Sequence, residues 1–158
     1  MSEIGRAYVR RRSDYHRAAT TILGNPESAR DAVNDAFLTA IASSATFRAE
    51  GSLEGWIRTI VVNAACDRRR RERFERPSDE IPEPPRGGQT GEPEPSIDVC
   101  ELRTRISDLP QRQRLIVFLR FYADLDYAQI ADRLQISIGT VGATLHAALH
   151  ALDPANIP

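Results

Sequence analysis

The chain has 158 residues, of which 41% are hydrophobic and 6% aromatic, with a formal net charge of −1. This length allows one ordinary domain or two small ones, and the few aromatic side chains favour a helical core over a β-sandwich. No run of about 18 apolar residues occurs, which excludes a transmembrane helix. The N-terminal residues lack the apolar core of a signal peptide, so we expect a cytoplasmic protein without membrane insertion.

The small net charge conceals an uneven distribution. Residues 1–76 carry 14 arginines against ten acidic residues, residues 77–100 carry one against six, and residues 101–158 carry six of each. Cys66 and Cys100 are too few for a disulfide framework, and no Cys/His cluster has the spacing of metal ligands. We therefore predict a basic block, an acidic connector and a neutral block, with no metal site.

Two amphipathic helices are predicted at the N-terminus, over residues 3–23 and roughly 26–42. Gly24 ends the first, and Asn25 with Pro26 begins the second. The predicted core face of the second helix consists of Ala29, Ala32, Val33, Ala36, Phe37, Ala40 and Ile41. Behind it lies a strip made of Asp31, Asn34, Asp35 and Leu38. This strip is either a solvated face with one exposed leucine or a docking face for a basic partner.

A third helix is predicted over residues 51–76, with Ser52 as its N-cap. Its predicted buried stripe is Leu53, Trp56, Ile57, Ile60, Val61 and Ala64. Its arginine-rich end comprises Arg68, Arg69, Arg70, Arg71, Arg73 and Arg76. This end is either a solvated terminus that suits the helix dipole or a surface that grips phosphates. On the preceding loop, Phe47 is either a stacking platform for an unpaired base or a plug for the core.

Residues 77–96 are rich in Pro, Gly and Glu, which predicts a flexible linker. The chain is thus predicted to be all-α, with two small helical domains at 1–76 and 97–158. The second domain is expected to end in a helix-turn-helix. Its first helix buries Ile130, Ala131 and Leu134, its turn is Gln135–Ile136, and its second helix begins at the cap Ser137. The inner face of that second helix is Val141, Leu145, Ala148 and Leu152.

Three segments in this order resemble the bacterial extracytoplasmic-function (ECF) sigma factors, the small two-domain branch of the sigma-70 family. They are ARDAVNDAFLTAI at 29–41, FRAEGSLEGWIRTIVVNAACDRRRR at 47–71 and LPQRQRLIVFLRFYADLDYAQIADRLQISIGTV at 109–141. The first is similar to the family's polymerase-binding helix, and the second to its segment that opens and reads the minus-10 promoter element. The third is similar to its minus-35-reading domain, so the resemblance covers nearly the whole chain outside the linker.

The resemblance implies a protein that binds core RNA polymerase and promoter DNA, directs initiation and helps to melt the minus-10 element. It also commonly implies control by an anti-sigma factor, and it implies no catalytic residue and no cofactor. The implied polymerase-binding residues are Asp31, Asn34, Asp35 and Leu38. The implied minus-10 residues are Phe47, Arg48, Ser52, Trp56, Arg58, Asn63, Arg68, Arg69, Arg70 and Arg71. The implied minus-35 residues are Arg133, Ser137, Thr140, Gly142, Ala143, Thr144 and His146.

The predicted recognition helix departs from the family pattern. Lysine and arginine usually follow its GTV motif, whereas Gly142 and Thr144 occupy common basic positions here and only His146 and His150 follow. Phosphate contacts must then be fewer or come from elsewhere, and the candidates are Arg112, Arg114 and Arg133. Gln135 replaces the usual glycine of the turn, where a positive φ is often needed, so we expect strain there.

Three other functions fit the sequence less well. The basic-poor recognition helix favours a sigma-like protein that titrates an anti-sigma factor or polymerase without directing transcription, although the arginine-rich end argues against it. A stand-alone repressor would leave the first 76 residues without a role. An enzyme is disfavoured because His16, His146 and His150 have no neighbouring triad partners and no phosphate-binding glycine loop occurs.

Overall fold

A computed structural model of the chain describes residues 2–48, 51–75 and 97–153, apart from the side chains of 97–100. Every regular element in these ranges is helical, and the chain divides into two compact units. The all-α prediction is therefore confirmed. The predicted linker at 77–96, two loop residues after Arg48, and the helix end at Arg76 lie outside the described residues. The predicted domain boundaries remain predictions.

The first unit is a bundle of three helices that all pack against one another. They are α1 (Glu3–Leu23), α2 (Pro26–Ala42) and α3 (Leu53–Glu75), with a 3₁₀ turn at Ser44–Thr46. The predicted ends of α1 and α2 and the predicted N-cap of α3 are confirmed. Gly24 closes α1 in the left-handed conformation, with φ 70°. Asn25 Oδ1 accepts the backbone N–H of Glu27 at 2.8 Å, and Ser52 Oγ accepts that of Gly55 at 3.0 Å.

A narrow face of small residues attaches α2 to its neighbours. Its buried members are Ala29, Ala32, Val33, Ala36 and Ala40. Phe37 is half-buried and stacks on Tyr8, with 4.3 Å between the ring centroids. The prediction that Ile41 belongs to the core is wrong, because its side chain is 46% exposed. Because the buried face of α2 consists mostly of alanines, the helix packs closely through a narrow strip. Ile41, in the last turn, lies off this strip and remains exposed.

The buried side of α3 is rotated away from the predicted stripe. Its buried residues are Ile57, Val61, Val62, Ala65 and Cys66. The stripe prediction is wrong for Leu53, Trp56, Ile60 and Ala64, which are half-buried. Because α3 packs against both α1 and α2, a wide arc of its surface is buried. The half-buried residues lie at the edge of this arc. The apolar run at residues 60–66 surrounds the helix, so periodicity alone did not select the correct side.

The second unit contains four helices within residues 97–153. They are α4 (Ile97–Asp108), α5 (Gln111–Val117), α6 (Tyr127–Leu134) and α7 (Ile138–Leu152). Helix α5 continues into a π-helical turn at Phe118–Tyr122, where the N–H of Ala123 donates to Phe118 O at 3.2 Å. The core is formed by Leu115, Ile116, Leu119, Leu125, Ile130, Leu134, Val141, Leu145 and Ala148.

Helices α6 and α7 form the predicted helix-turn-helix. Asp126 and Gln129 begin α6 with a reciprocal capping box. The turn passes through Gln135 at φ 55° and ψ 49°, so the predicted strained position is confirmed. Ser137 Oγ then accepts the N–H of Thr140 at 3.0 Å and caps α7. None of the described helices combines the length and apolarity that crossing a bilayer requires.

Candidate nucleic-acid interface

Arg68 joins the arginine-rich end of α3 to the outer strip of α2. Its Nη2 lies 3.1 Å from Asp31 Oδ2, its Nη1 lies 3.9 Å from Asp35 Oδ2, and its Nε lies 3.2 Å from Glu72 Oε1. Glu72 Oε1 also accepts the hydroxyl of Ser28 at 2.8 Å. We call Asp31, Asp35, Arg68 and Glu72 the α2–α3 ionic cluster. The cluster therefore contains the Arg68 guanidinium, which the sequence predicted to bind DNA. It also contains the Asp31 and Asp35 carboxylates, which the sequence predicted to bind polymerase.

Arg69 binds the protein's own backbone. Its Nη1 donates to Ile22 O at 2.7 Å. This carbonyl belongs to the last turn of α1, where backbone acceptors have no helical partner. Burial lowers the pKa of the Arg69 guanidinium, and the positive charge of Arg73 lowers it further. Arg69 therefore closes the C-terminus of α1 and fastens α3 to it.

The arginines beyond Arg69 differ in exposure. Arg70 is half-buried, as Arg68 and Arg69 are, whereas Arg71 and Arg73 are exposed. Arg68 and Arg69 thus fit neither sequence interpretation, because both are bonded to other helices of the bundle. The first two arginines stabilise the bundle, and the phosphate-binding prediction applies best to the outer ones.

Two aromatic rings lie together beside the start of α3. The centroids of Phe47 and Trp56 are 5.5 Å apart, their planes are tilted by 48°, and both side chains are half-buried. Ile60 and Asn63 follow Trp56 at i+4 and i+7, which extends the same side of the helix. We call these four residues the α3 flank. Ile60 was missed as a site residue because it was assigned to the core.

Asn63 differs from the other members of the α3 flank. Its Oδ1 is buried and accepts no hydrogen bond from the described residues. Buried amide oxygens usually have partners, so an orphaned acceptor two turns beyond Trp56 on the same side of α3 marks the flank as a candidate for ligand binding.

Three further predicted minus-10 residues lie on the loop before α3 or in its first two turns. Arg48 is exposed on the loop after Phe47. Ser52 is exposed, but its hydroxyl oxygen already caps α3. Arg58 is half-buried. Arg48 directly follows Phe47 in the chain, and an exposed guanidinium together with paired rings suits a single strand with its phosphates and unstacked bases.

The outer strip of α2 is exposed along its length. Its members are Asp31, Asn34, Asp35 and Leu38, and the Leu38 side chain is 65% exposed. Ile41, three residues beyond Leu38 on α2, is 46% exposed. The exposed surface of α2 is therefore more apolar toward its C-terminal end than the sequence suggested. The pattern assigned Ile41 to the core because it continues the spacing of the buried face.

The predicted minus-35 residues other than Arg133, which lies on α6, extend along α7 from its cap Ser137 to His146. Ser137 Oγ and Thr140 Oγ1 lie 2.8 Å apart, Ala143 and His146 are exposed, and Gly142 and Thr144 are half-buried. A Cβ placed on Gly142 would lie 3.7 Å from Tyr127 Cε2, so the Tyr127 ring lines this side of α7. Tyr127 is 42% exposed and was missed as a site residue.

The three arginines proposed to supply phosphate contacts differ in their environment. Arg112 is exposed and Arg133 is half-buried in the last turn of α6. Arg114 Nη1 donates to Ser107 O at 2.9 Å, so this guanidinium closes the end of α4 instead. The described second unit thus offers few guanidinium groups to a DNA backbone.

The two units define an all-helical protein whose second unit is a helix-turn-helix and whose first unit exposes an aromatic and polar flank. The sequence matches the family Sigma-70 region 2 over residues 7–75 and the family Sigma-70, region 4 over residues 101–152. Both matches coincide with the two units, and together they cover more than half of the chain.

Comparison with known proteins agrees with these matches. RNA polymerase sigma factor SigV of Bacillus subtilis is 28% identical over 139 residues, which are 87% of this chain and 81% of the relative. ECF RNA polymerase sigma factor SigM of Mycobacterium tuberculosis is 31% identical over 134 residues, which are 85% of this chain and 67% of the relative. The sigma factor RpoE, solved with the anti-sigma factor NepR from Bartonella quintana, matches with a TM-score of 0.57 and 20% identity. That match covers 96% of this chain and 95% of the other and supports the fold.

The chain belongs to the sigma-70 family, in its extracytoplasmic-function branch. It is a sigma factor, a protein that directs RNA polymerase to promoters and starts transcription there.

Proposed function

We propose that the first unit docks on core RNA polymerase through the outer strip of α2 and captures the melted minus-10 strand on the α3 flank. The second unit then reads the minus-35 element with the start of α7. The chain contributes no catalytic group and acts in the cytoplasm with the polymerase. The observation that carries this proposal is the α3 flank, where two half-buried rings pair at the start of α3 and Asn63, further along the same side of the helix, has an amide oxygen without a partner among the described residues.

Capture of an unpaired strand needs stacking surfaces and backbone neutralisation. Stacking on an aromatic side chain contributes about 1–3 kcal/mol per base, so the Phe47–Trp56 pair can offset much of the unpairing of one base. Asn63 supplies polar edge recognition beside the rings. Arg48 and Arg71 are exposed and contact phosphates, while Arg68 and Arg69 hold the helix that presents the flank.

Recognition of the minus-35 duplex rests on small side chains. Ser137 and Thr140 offer hydroxyls at the N-terminus of α7, where backbone N–H groups also favour phosphate. Ala143 suits contact with a thymine methyl group, and His146 adds a ring donor. Because α7 carries no lysine or arginine, more of the promoter affinity must come from the first unit.

Reconstitution with core polymerase tests the proposal. Holoenzyme that contains the wild-type chain should protect a promoter and make minus-10 thymines reactive to permanganate. Trp56→Ala should keep polymerase binding and reduce this reactivity at least tenfold, whereas Leu38→Asp should weaken polymerase binding. A wild-type chain that binds polymerase but never opens a promoter would overturn the proposal and select the titrating protein that the basic-poor α7 suggests.

A further inference from the structure

Three basic side chains meet at the seam between α1 and α2, and none of them has a role in the proposed function. His16 lies on α1, Arg12 precedes it by one helical turn, and Arg30 lies on α2. Side chains at i and i+4 of a helix have Cβ atoms about 5–6 Å apart, so Arg12 and His16 are neighbours on one helix.

The packing of α1 against α2 brings Arg30 to the level of His16. The two helices are joined by a two-residue turn and run antiparallel, because Tyr8 near the start of α1 stacks on Phe37 near the end of α2. From these rings, His16 lies eight residues further along α1, and Arg30 lies seven residues back along α2. These separations are rises of about 12 and about 10.5 Å, so the two residues lie at nearly the same height.

The electrostatic environment of His16 agrees with this placement. Burial lowers the pKa of the imidazole, and the positive charges of Arg12 and Arg30 lower it further. The Nε2 atom of His16 is buried and has no hydrogen-bond partner among the described residues. Because buried polar atoms usually have a partner, positive charge converges here on a group whose bonding capacity is unused.

The guanidinium groups of Arg12 and Arg30 have no carboxylate that offsets their charge. Both side chains are exposed, and neither forms an ion pair within the described residues. The arginine next to Arg12 differs, since Arg11 Nη1 lies 3.2 Å from Asp14 Oδ2. Like charges close together repel each other, and an anion between them turns this repulsion into attraction.

We propose that Arg12, His16 and Arg30 bind a tetrahedral dianion of the phosphate class. The two guanidinium groups match its charge, and their N–H groups form charge-assisted hydrogen bonds with its oxygens. The imidazolium form of His16 donates from both ring nitrogens and supplies a further bond. A bound dianion offsets the arginine charges and favours this protonated form, so binding takes up a proton. A free phosphate compound and the backbone of a nucleic acid share this chemistry.

Calorimetric titration of the full chain with sodium sulfate tests the site at constant ionic strength. Sulfate is a tetrahedral dianion that keeps its charge near neutral pH. Arg12→Gln and Arg30→Gln should each weaken sulfate binding about fivefold. The matched control is Arg11→Gln, which removes one positive charge at the neighbouring position from an arginine paired with Asp14. Wild type that binds no sulfate, or a control that weakens binding as much as Arg12→Gln, would overturn the site.

The part played by His16 has its own readout. Lowering the pH from about 7.5 to about 5.5 should raise the sulfate affinity of wild type about threefold or more, and His16→Gln should remove most of this rise. Equal pH profiles of the two proteins would contradict the three-residue site. In wild type, sulfate should also move the NMR titration of the His16 ring to higher pH. This measurement needs no variant, so it decides the point if His16→Gln does not fold.

DNA titrations distinguish the two sources of phosphate, and only this experiment rests on the proposed function. Holoenzyme with Arg12→Gln is compared with holoenzyme that contains Arg11→Gln on one promoter over a salt series. A salt slope that is lower by about one for Arg12→Gln assigns the site to the DNA backbone. Equal slopes assign it to a free phosphate compound. If neither the variants nor wild type bind a promoter, the proposed function fails, and the sulfate titrations still decide the site.

Discussion

Arg68 Nη2 and Asp31 Oδ2 lie 3.1 Å apart, and this contact ties the arginine-rich end of α3 to the outer strip of α2. A side chain expected on DNA and one expected on polymerase therefore bind each other in the first unit. The Arg68 side chain is 27% exposed and that of Asp31 is 50% exposed, so the pair is only partly screened by water. The α2–α3 ionic cluster fixes the outer strip of α2 relative to the arginine-rich end of α3. Its residues therefore need to be tested separately from the exposed Arg71 and Arg73.

Arg68→Ala and Arg71→Ala should affect different properties, the first stability and the second DNA binding. Loss of Arg68 removes ion pairs to three carboxylates and should lower the free energy of unfolding by about 1 kcal/mol, since all partners are partly exposed. Loss of Arg71 should leave stability unchanged but lower DNA affinity and reduce its salt slope by about one. Urea unfolding and DNA titrations over a salt series measure both. If Arg68→Ala reduced the salt slope as much as Arg71→Ala, Arg68 would contact DNA and would not stay paired with the carboxylates of the ionic cluster in solution.

Arg69→Met should destabilise the first unit more than Arg68→Ala does. The substitution keeps the aliphatic length but leaves Ile22 O without its 2.7 Å partner. Loss of a hydrogen bond to a charged donor costs about 1.5–3 kcal/mol when the acceptor is buried. The measurement is the free energy of unfolding, with Arg73→Met as the control on an exposed position. Equal stability of the two variants would contradict the role of Arg69 as a cap for α1.

The helix positions of the first unit could be predicted because their signals are local. Gly24, Asn25 and Ser52 each determine a terminus through bonds to residues within four positions. The partners of Arg68 could not be predicted in this way, since Asp31 lies 37 residues earlier in the chain. Nor could the side of α3 that faces inward, because apolar residues surround it at 60–66.

Gln135→Gly should stabilise the second unit. Gln135 has φ 55°, where a residue with a Cβ costs about 1–2 kcal/mol, and glycine removes that cost. Its Nε2 donates to Asp132 O at 2.6 Å, and loss of this bond offsets part of the gain. The expected net increase in the free energy of unfolding is about 0.5–1 kcal/mol by denaturant titration. Asp124→Gly, at the other non-glycine residue with φ 55° among the described residues, is the comparison variant. A decrease in stability of Gln135→Gly would show that Gln135 is not strained.

Stability should fall as the pH drops below the ordinary pKa of histidine, about 6.5. Burial lowers the pKa of His16, and the charges of Arg12 and Arg30 lower it further. The unfolded chain then binds a proton more readily than the native one, so acid favours unfolding, and the effect vanishes above the ordinary pKa. His16→Gln should flatten this part of the stability profile measured by urea unfolding at each pH. Arg30→Gln should reduce the slope in the same window, and identical profiles for all three proteins would contradict the assignment.

The strained turn and the cap of the second helix of the helix-turn-helix could be predicted, because each depends on the residue type at one position. These positions are Gln135, in place of the usual glycine, and Ser137. The environment of Arg114 could not, since its bond to Ser107 O depends on how α5 follows α4. The position of Tyr127 against α7 likewise results from the crossing of two helices. These contacts decide which basic and aromatic groups remain available to DNA.

Gly142→Arg should strengthen minus-35 binding if the start of α7 reads DNA. A Cβ at Gly142 lies in ordinary contact with Tyr127 at 3.7 Å, so the first side-chain atom fits without a steric conflict. The new guanidinium should raise the affinity for a minus-35 duplex and increase the salt slope by about one. Gly142→Ala is the matched control, because it shares the gain in helix propensity of about 1 kcal/mol but adds no charge. Duplex titrations over a salt series compare the two variants, and equal slopes would show that this side of α7 does not face the DNA backbone.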